Sequence, residues 1–405
     1  MKTLQINVLD SGGGANAVNR LHQGLLNKGI DSRLLVGSSK IQSDRIKNTP
    51  SRNRLDKLIC SMTWRLGLNY VDTITSFNIP QHPFFQEAEI INFHNLHGGY
   101  FNYLAIPKLT EYKPTVWTLH DMWSFTGHCV YSYDCDRWKI GCGKCPYPDT
   151  YPGVQMDNTY LEWRLKNWVY SRSNLVIVTL TKWLTEEAKQ SILNRFPIHH
   201  IPNGIDSQAY QPIESELCKQ ILDIPKNKKV LMFAAQNLQD SRKGGDLLYQ
   251  ILVKLPESLK SDCVLLILGN GGEEISQLVG IPSINLGYVT GDRMKSIAYS
   301  ASDLFLCPTR ADNLPMVLQE SMACGTPMVS FDIGGVPDLV RPNITGYLAK
   351  AEDPNDFRNG IIQLLEDMNL REKMGQNSRK IATEEYSLEL QAQRYIELYQ
   401  QTLNL

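Results

Sequence analysis

Strand-length runs of Val, Ile, Leu and Phe recur along the chain and alternate with stretches whose apolar positions return every three or four residues. Residues 4–9 read as a strand, 15–28 as an amphipathic helix closed by Gly29, and 32–36 as the next strand. Further strands are expected at 90–93, 115–119 and 175–179. The pattern pauses over 207–227, a polar stretch with Pro212 and Pro225 that reads as a linker. It resumes with strands at 229–234, 264–268, 283–286, 304–307 and 327–330, and ends in helices over about 370–385 and 388–402. This alternation predicts an α/β protein with parallel sheets. Two Rossmann-like domains are expected, residues 1–206 and 207–386, with a last helix at 387–405 returning to the first. Ligands of doubly wound sheets bind at the carboxyl ends of the strands, so a central cleft faced by both domains is expected.

Length and charge agree with that picture. The 405 residues carry 41 Lys+Arg against 42 Asp+Glu, a net charge of -1, with 42% hydrophobic and 20% charged positions. Such a chain is neither disordered nor a dedicated nucleic-acid binder, which carries a basic excess. The longest apolar runs, 230–235 and 264–268, are far too short to span a membrane, and the first ten residues read as a strand without a secretory h-region. A cytoplasmic protein is expected. Cysteine is the oddity. Of nine, four fall at Cys129, Cys135, Cys142 and Cys145, spaced C-x5-C-x6-C-x2-C. Four thiolates closing a structural Zn site, reduced or redox-active thiols, and two disulfides are the three readings. The other five cysteines read as small buried fillers.

Four segments carry candidate chemistry. The first strand runs into Gly12-Gly13-Gly14-Ala15, a nominal dinucleotide turn. The acidic residue that an NAD site needs at the end of the second strand is missing from residues 36–40. Gly13 and Gly14 then let backbone amides approach a phosphate or an acceptor, or serve packing alone. In the second half, Arg242, Lys243, Gly244 and Gly245 follow a strand and precede a helix, a clamp suited to a diphosphate or else a solvated basic loop. In residues 308–327, Pro315 and Gly325 bracket a helix at 314–324. Asp312 lies in the loop before it, set to take sugar hydroxyls with the free amides of the helix start, and Glu320 lies inside it, set to take a ribose. The bland alternative is a helix-capping Asp and a surface Glu. Residues 52–66 interleave Arg52, Arg54, Lys57 and Arg65 with Leu55, Leu58, Ile59, Met62, Trp64 and Leu66. That helix either rests on an anionic membrane or faces the core with a solvated basic side. His94, Asn95, His97, Gly98 and Gly99 end an early strand and line the ligand cleft or serve structure only.

In order along the chain these stretches closely resemble glycosyltransferase family 4, the retaining GT-B enzymes. Residues 310–326 resemble the family's E-x7-E motif and A-x-G-x-P tail, and 201–206 its I-P-N-G-I-D turn. Residues 333–340 with Thr345–Leu348 resemble its G-G-x-x-E-x-V block, 181–184 its S-x-W-L turn, and 118–121 its strand-end histidine. A subset making bacterial polysaccharides carries a Cys-rich insertion similar to 120–146. The resemblance implies a hexose transferred with retention from a UDP- or GDP-sugar, without a catalytic metal, to a saccharide acceptor that can be linked to a polyprenyl diphosphate. It implies work at the cytoplasmic face of the inner membrane, in exopolysaccharide, capsule or O-antigen synthesis. Residue by residue, Glu320 would hold the nucleotide ribose, Lys243 the β-phosphate, and Asp312 a donor hydroxyl alongside Asn313 and Leu314. His120 would sit beside the sugar, making His120 and Asp312 the catalytic candidates. Two departures stand out: Asp312 replaces the usual Glu, and Gln236-Asn237 replace the usual Gly-Arg, leaving Arg242 as the substitute charge. A sugar-nucleotide epimerase and a non-catalytic scaffold using the cysteine loop are the rival readings.

Overall fold

A computed structural model describes residues 1–272 and 278–404. The chain forms two compact units, residues 1–204 with 389–405, and residues 205–388. Unit 1 holds a seven-stranded parallel sheet built from β1 (Lys2–Leu9), β2 (Asp31–Ser38), β3 (Ile46–Asn48), β4 (Ile90–Phe93), β5 (Thr115–Leu119), β6 (Val176–Thr179) and β7 (Ile198–His200), in the order β3-β2-β1-β4-β5-β6-β7. Unit 2 holds a six-stranded parallel sheet of β8 (Lys229–Asn237), β9 (Cys263–Asn270), β10 (Ser283–Asn285), β11 (Leu304–Cys307), β12 (Met328–Phe331) and β13 (Gly346–Ala349), in the order β10-β9-β8-β11-β12-β13. Both sheets reverse their strand order beside their first strand, the switch point at which doubly wound folds bind ligands.

Strands β4, β5, β6, β11 and β12 are buried at every position, because helices cover both faces of a parallel sheet. One face of unit 1 packs Ile6, Phe93, Trp117 and Ile177 against the segments that follow the strands. On the other, Ile90, Val116 and Val178 meet Tyr395, Leu398 and Tyr399 of the last helix, Leu388–Leu403. In unit 2, Phe233, Ile267, Leu306 and Val329 share a core with Phe357 and Ile361.

Several boundaries differ from the sequence expectation. Strands β3, β7 and β13 are additions, three or four residues each, paired only at the sheet edges. The stretch expected as a linker contains the helix Ser215–Ile221, and its Tyr210 is buried with its hydroxyl donating to Asp292 at 2.7 Å. The helix expected at 314–324 runs over Met316–Ala323, since Pro315 takes an extended conformation ahead of it. No helix among the described residues is long and apolar enough to cross a membrane.

Candidate functional site

At the switch point of unit 2, β8 runs out into a tight turn, Ser241–Lys243, whose Asp240 side chain accepts from the Arg242 amide at 3.0 Å. Gly244 follows with φ +71°, and a Cβ there would lie 1.9 Å from the Pro308 carbonyl oxygen, so only glycine lets the turn lie against the loop after β11. The loop in turn grips the turn: the Arg310 amide and the Thr309 hydroxyl donate to the Arg242 carbonyl at 2.8 and 3.0 Å. Arg310 itself donates to the Ser241 carbonyl at 2.7 Å and forms a fork with Asp246 at 2.7 and 2.5 Å. Sequence reasoning missed this clamp, because Arg310 and Asp246 pair across 64 positions with no local signal.

The clamp brings Asp312 under both cations. Lys243 Nζ lies 2.6 Å from Asp312 Oδ2, and Arg242 Nη1 lies 3.4 Å from the same oxygen while donating to the Ala311 carbonyl at 3.1 Å. Burial alone would raise the Asp312 pKa, but the charges of Lys243 and Arg242 and the hydrogen bonds from Lys243 and the Asn313 amide hold it below its ordinary value. Gly334 seats the loop from below: its φ is +48°, and a Cβ would come 2.3 Å from the Asp312 carbonyl oxygen, which accepts from the Gly335 amide at 3.2 Å. The two glycines of the 333–340 block are thus what lets Asp312 sit where it does.

Both bland alternatives for this segment fail. Asp312 makes no capping bond to the helix Met316–Ala323, and Glu320 is buried at 4% exposure, with the Tyr299 hydroxyl 3.3 Å from its Oε2. The Asn313 amide, expected to face a donor hydroxyl, donates to Asp312 Oδ1 at 3.1 Å. Leu314 is buried beside it. Asp312 therefore engages both Lys243 and the Asn313 amide.

In unit 1, Gly13 opens the helix Gly13–Asn27, and a Cβ on Gly14 would come 3.1 Å from the Asn95 side chain. The acid missing from the end of β2 is replaced from the end of β1. Asp10 accepts from the Ser39 hydroxyl at 2.5 Å and from the Lys40 and Ile41 amides at 2.8 Å each, so it braces this loop instead of offering itself to a ribose. After β5, His120 is half-buried and its Nε2 lies 3.0 Å from His94 Nδ1. Burial brings the His120 pKa down to about 4 and that of His94 well below its ordinary value. Asp121 pairs with His97 at 2.9 Å and accepts from the Trp123 amide at 2.9 Å.

The loop after Asp121 rests on a buried cation that the sequence did not betray. Lys166 Nζ donates to the carbonyls of Trp123 and Thr126 at 2.6 and 2.9 Å and lies 3.9 Å from the Trp123 ring centre. One turn earlier on its helix, Glu162 accepts from the Asn69 amide at 2.6 Å and the Tyr103 hydroxyl at 2.8 Å. The cysteines of this loop do not match the Zn reading. Cys129, Cys135, Cys142 and Cys145 are free, and among the described residues no three His, Cys, Asp or Glu side chains are grouped to hold a metal ion. Instead Cys142 Sγ accepts from the Gly127 amide at 3.1 Å and Cys145 Sγ meets His128 Nε2 at 3.1 Å. Burial, with the neighbouring cysteines, pushes the Cys129 thiol up to about 12 and Cys142 up to about 11. The free sulfurs do not match the disulfide reading either.

Comparison with known proteins follows the same division. Residues 11–209 match the model of "Glycosyltransferase Family 4", and residues 214–381 that of "Glycosyl transferases group 1". The chain is 26% identical over 353 residues to WcaC, the glycosyl transferase assigned to colanic acid biosynthesis in Escherichia coli (strain K12), covering 82% of this chain and 83% of that protein. It is 27% identical over 232 residues to the N-acetyl-alpha-D-glucosaminyl L-malate synthase of Bacillus anthracis, covering 56% of this chain and 60% of that enzyme. Among solved structures, sucrose-phosphate synthase from Thermosynechococcus elongatus superposes with a TM-score of 0.71 at 15% identity, over 99% of both chains. HepE of Anabaena, in complex with UDP, superposes with a TM-score of 0.70 at 15% identity, over 99% of this chain and 100% of that one.

Proposed function

Because the chain belongs to the family 4 glycosyltransferases and has the GT-B fold, we propose that it transfers a hexose-type sugar, with retention, from a UDP- or GDP-sugar to a saccharide or lipid-linked saccharide acceptor in the synthesis of a cell-surface polysaccharide. The observation that carries this reading is the Arg242/Lys243 turn held against Asp312 and followed by the buried Glu320. In that reading Lys243 leaves Asp312 for the β-phosphate, Arg242 adds a second charge, and Asp312 turns with Asn313 and Leu314 to a donor hydroxyl while Glu320 takes the ribose. The leaving diphosphate gains charge in the transition state, so cations already fixed by Arg310 and Asp246 act most strongly there. His120 is a poor base at neutral pH with a pKa of about 4. The acceptor proton is therefore assigned to the leaving phosphate during same-face attack. The UDP bound to HepE favours a uridine nucleotide, and the colanic acid in the name of WcaC favours a polysaccharide acceptor. No catalytic metal enters this scheme. Nucleotide release from the donor is expected only after a saccharide acceptor is added; equal release without one identifies an epimerase or hydrolase instead.

A lipid-linked acceptor agrees with the helix Arg54–Arg65. Its N-terminus is tied down by the Asn53–Asp56 capping box, and Asp56 accepts from the Ile74 amide at 2.7 Å and the Thr75 hydroxyl at 2.9 Å. Arg52 is spent on an ion pair with Asp72. The apolar residues do not face the core: Leu58 and Met62 are each 62% exposed, and Leu55, Trp64 and Leu66 are also open, beside exposed Arg54, Lys57 and Arg65. Apolar side chains among cations fit an anionic lipid surface, and peripheral attachment to the inner membrane is part of the proposal. In flotation with phosphatidylcholine vesicles, binding is expected to require added phosphatidylglycerol and to be lost in Leu58→Glu/Met62→Glu. Equal recovery of wild type and variant from either vesicle would remove membrane attachment from the account.

A further inference from the structure

Among the buried polar groups of unit 1, one continuous chain of hydrogen bonds ends on His120. Tyr395 Oη lies 2.8 Å from Thr118 Oγ1, whose hydroxyl donates to Asn92 Oδ1 at 3.0 Å. Asn92 Nδ2 donates to Tyr399 Oη at 2.9 Å, and Gln5 Nε2 donates to Thr3 Oγ1 and to the same Tyr399 oxygen at 3.4 Å each. That sets the Gln5 side chain so that its Oε1 faces His94 Nε2 at 2.9 Å. The His94 backbone is fixed as well, its carbonyl accepting from Trp117 Nε1 at 2.9 Å.

The protons along this chain have one arrangement. A carbonyl oxygen carries no hydrogen, so His94 Nε2 is the donor to Gln5. Both imidazoles are neutral at working pH, since burial brings His120 down to about 4 and His94 well below its ordinary value, and a neutral imidazole has one N–H. His94 Nδ1 is then a bare acceptor, and the hydrogen in the 3.0 Å contact belongs to His120 Nε2.

We propose that His94 is a positioning residue: it holds His120 as the Nε2–H tautomer in the place beside the sugar that the glycosyl-transfer reading gives it. The helix Leu388–Leu403 takes part through Tyr395 and Tyr399, which anchor the far end of the chain. The inference rests on the glycosyl-transfer reading only in placing His120 beside the sugar; the tautomer is testable without any substrate.

Two-bond proton–nitrogen correlation spectra of the 15N-histidine-labelled full chain, assigned with His94→Gln and His120→Gln, read the tautomer directly. The expected wild-type pattern has hydrogen on Nε2 of both His94 and His120. In His94→Phe the His120 signals move to a mixture of tautomers and kcat for sugar transfer falls about tenfold or more, the scale on which losing an imidazole's orienting partner acts, while the Kd for UDP is unchanged. His94→Gln, which again offers an acceptor oxygen, restores part of the turnover and the Nε2–H signature. Hydrogen on His120 Nδ1 in the wild type overturns the proposal even if no variant folds, as does an unchanged tautomer in His94→Phe. The expected tautomer in a protein that transfers no sugar would leave the histidine relay standing and remove the glycosyl-transfer reading instead.

Discussion

Lys243→Ala and Glu320→Ala are each expected to lower sugar transfer at least about a hundredfold, about 2.7 kcal/mol of transition-state stabilisation, without unfolding the protein. The two reach that loss differently. Lys243 pairs with Asp312 at 2.6 Å, so its removal leaves the buried carboxylate with Arg242 as its remaining cation and takes away the charge assigned to the leaving diphosphate. Glu320 is buried beside Tyr299, and alanine there removes the ribose partner while leaving the helix Met316–Ala323 its propensity. A Lys243→Ala/Asp312→Asn double variant recovers thermal stability relative to Lys243→Ala but not turnover, which separates the structural part of the pair from the catalytic part. Turnover within a few-fold of wild type for either single variant, measured on folded protein, would falsify the donor-site assignment.

The second large effect belongs to stability. Lys166→Met is expected to cost about 3 kcal/mol, since each of two buried carbonyls left without its donor costs about 1–3 kcal/mol. Lys166 is fully buried, and without it the Trp123 and Thr126 carbonyls lose their donor while Glu162 keeps a carboxyl group in an apolar setting. Burial raises the Glu162 pKa to about 7 against the pull of Lys166, the Tyr103 hydroxyl and the Asn69 amide. A raised folded-state pKa contributes stability that is complete below the unfolded value of 4.5 and is lost as pH rises through about 7. Relative to Glu162→Gln, the thermal midpoint of the wild type should therefore fall between pH 5 and pH 8. A Lys166→Met protein as stable as wild type would show that the loop carrying Asp121–Thr126 does not depend on this cation.

Much of the fold was legible because parallel strands covered on both faces are continuous apolar runs: 90–93, 115–119 and 304–307 are marked by their own residues. Edge strands are not, and Ile46-Lys47-Asn48 and Ile198-His199-His200 become strands only because a neighbour supplies the ladder. The donor-side loop was legible in its residue types, since Pro315, Asp312 and Glu320 stand at spacings with a mechanical meaning. What made it a site was not legible: the Arg310–Asp246 fork, the glycine at 334 under Asp312 and the burial of Glu320 depend on contacts far along the chain. The same limit explains two features that the spacing left open. Cysteine spacing left a metal knuckle, reduced thiols and disulfides open, since the partners of Cys142 and Cys145, the Gly127 amide and His128, carry no signal in that spacing. Amphipathic spacing in 54–65 left the side that faces water undecided, and the capping box with its buried Asp56 turns the helix so that Leu58 and Met62 face out.

The central claim is that a sugar nucleotide binds unit 2 through the Arg242/Lys243 turn. Thermal unfolding in the presence of a panel of UDP- and GDP-hexoses, run on wild type and Lys243→Ala in parallel, measures it most directly. One donor is expected to raise the wild-type midpoint by several degrees, with most of that rise absent in Lys243→Ala. No stabilisation by any sugar nucleotide, or the same stabilisation in both proteins, would contradict it.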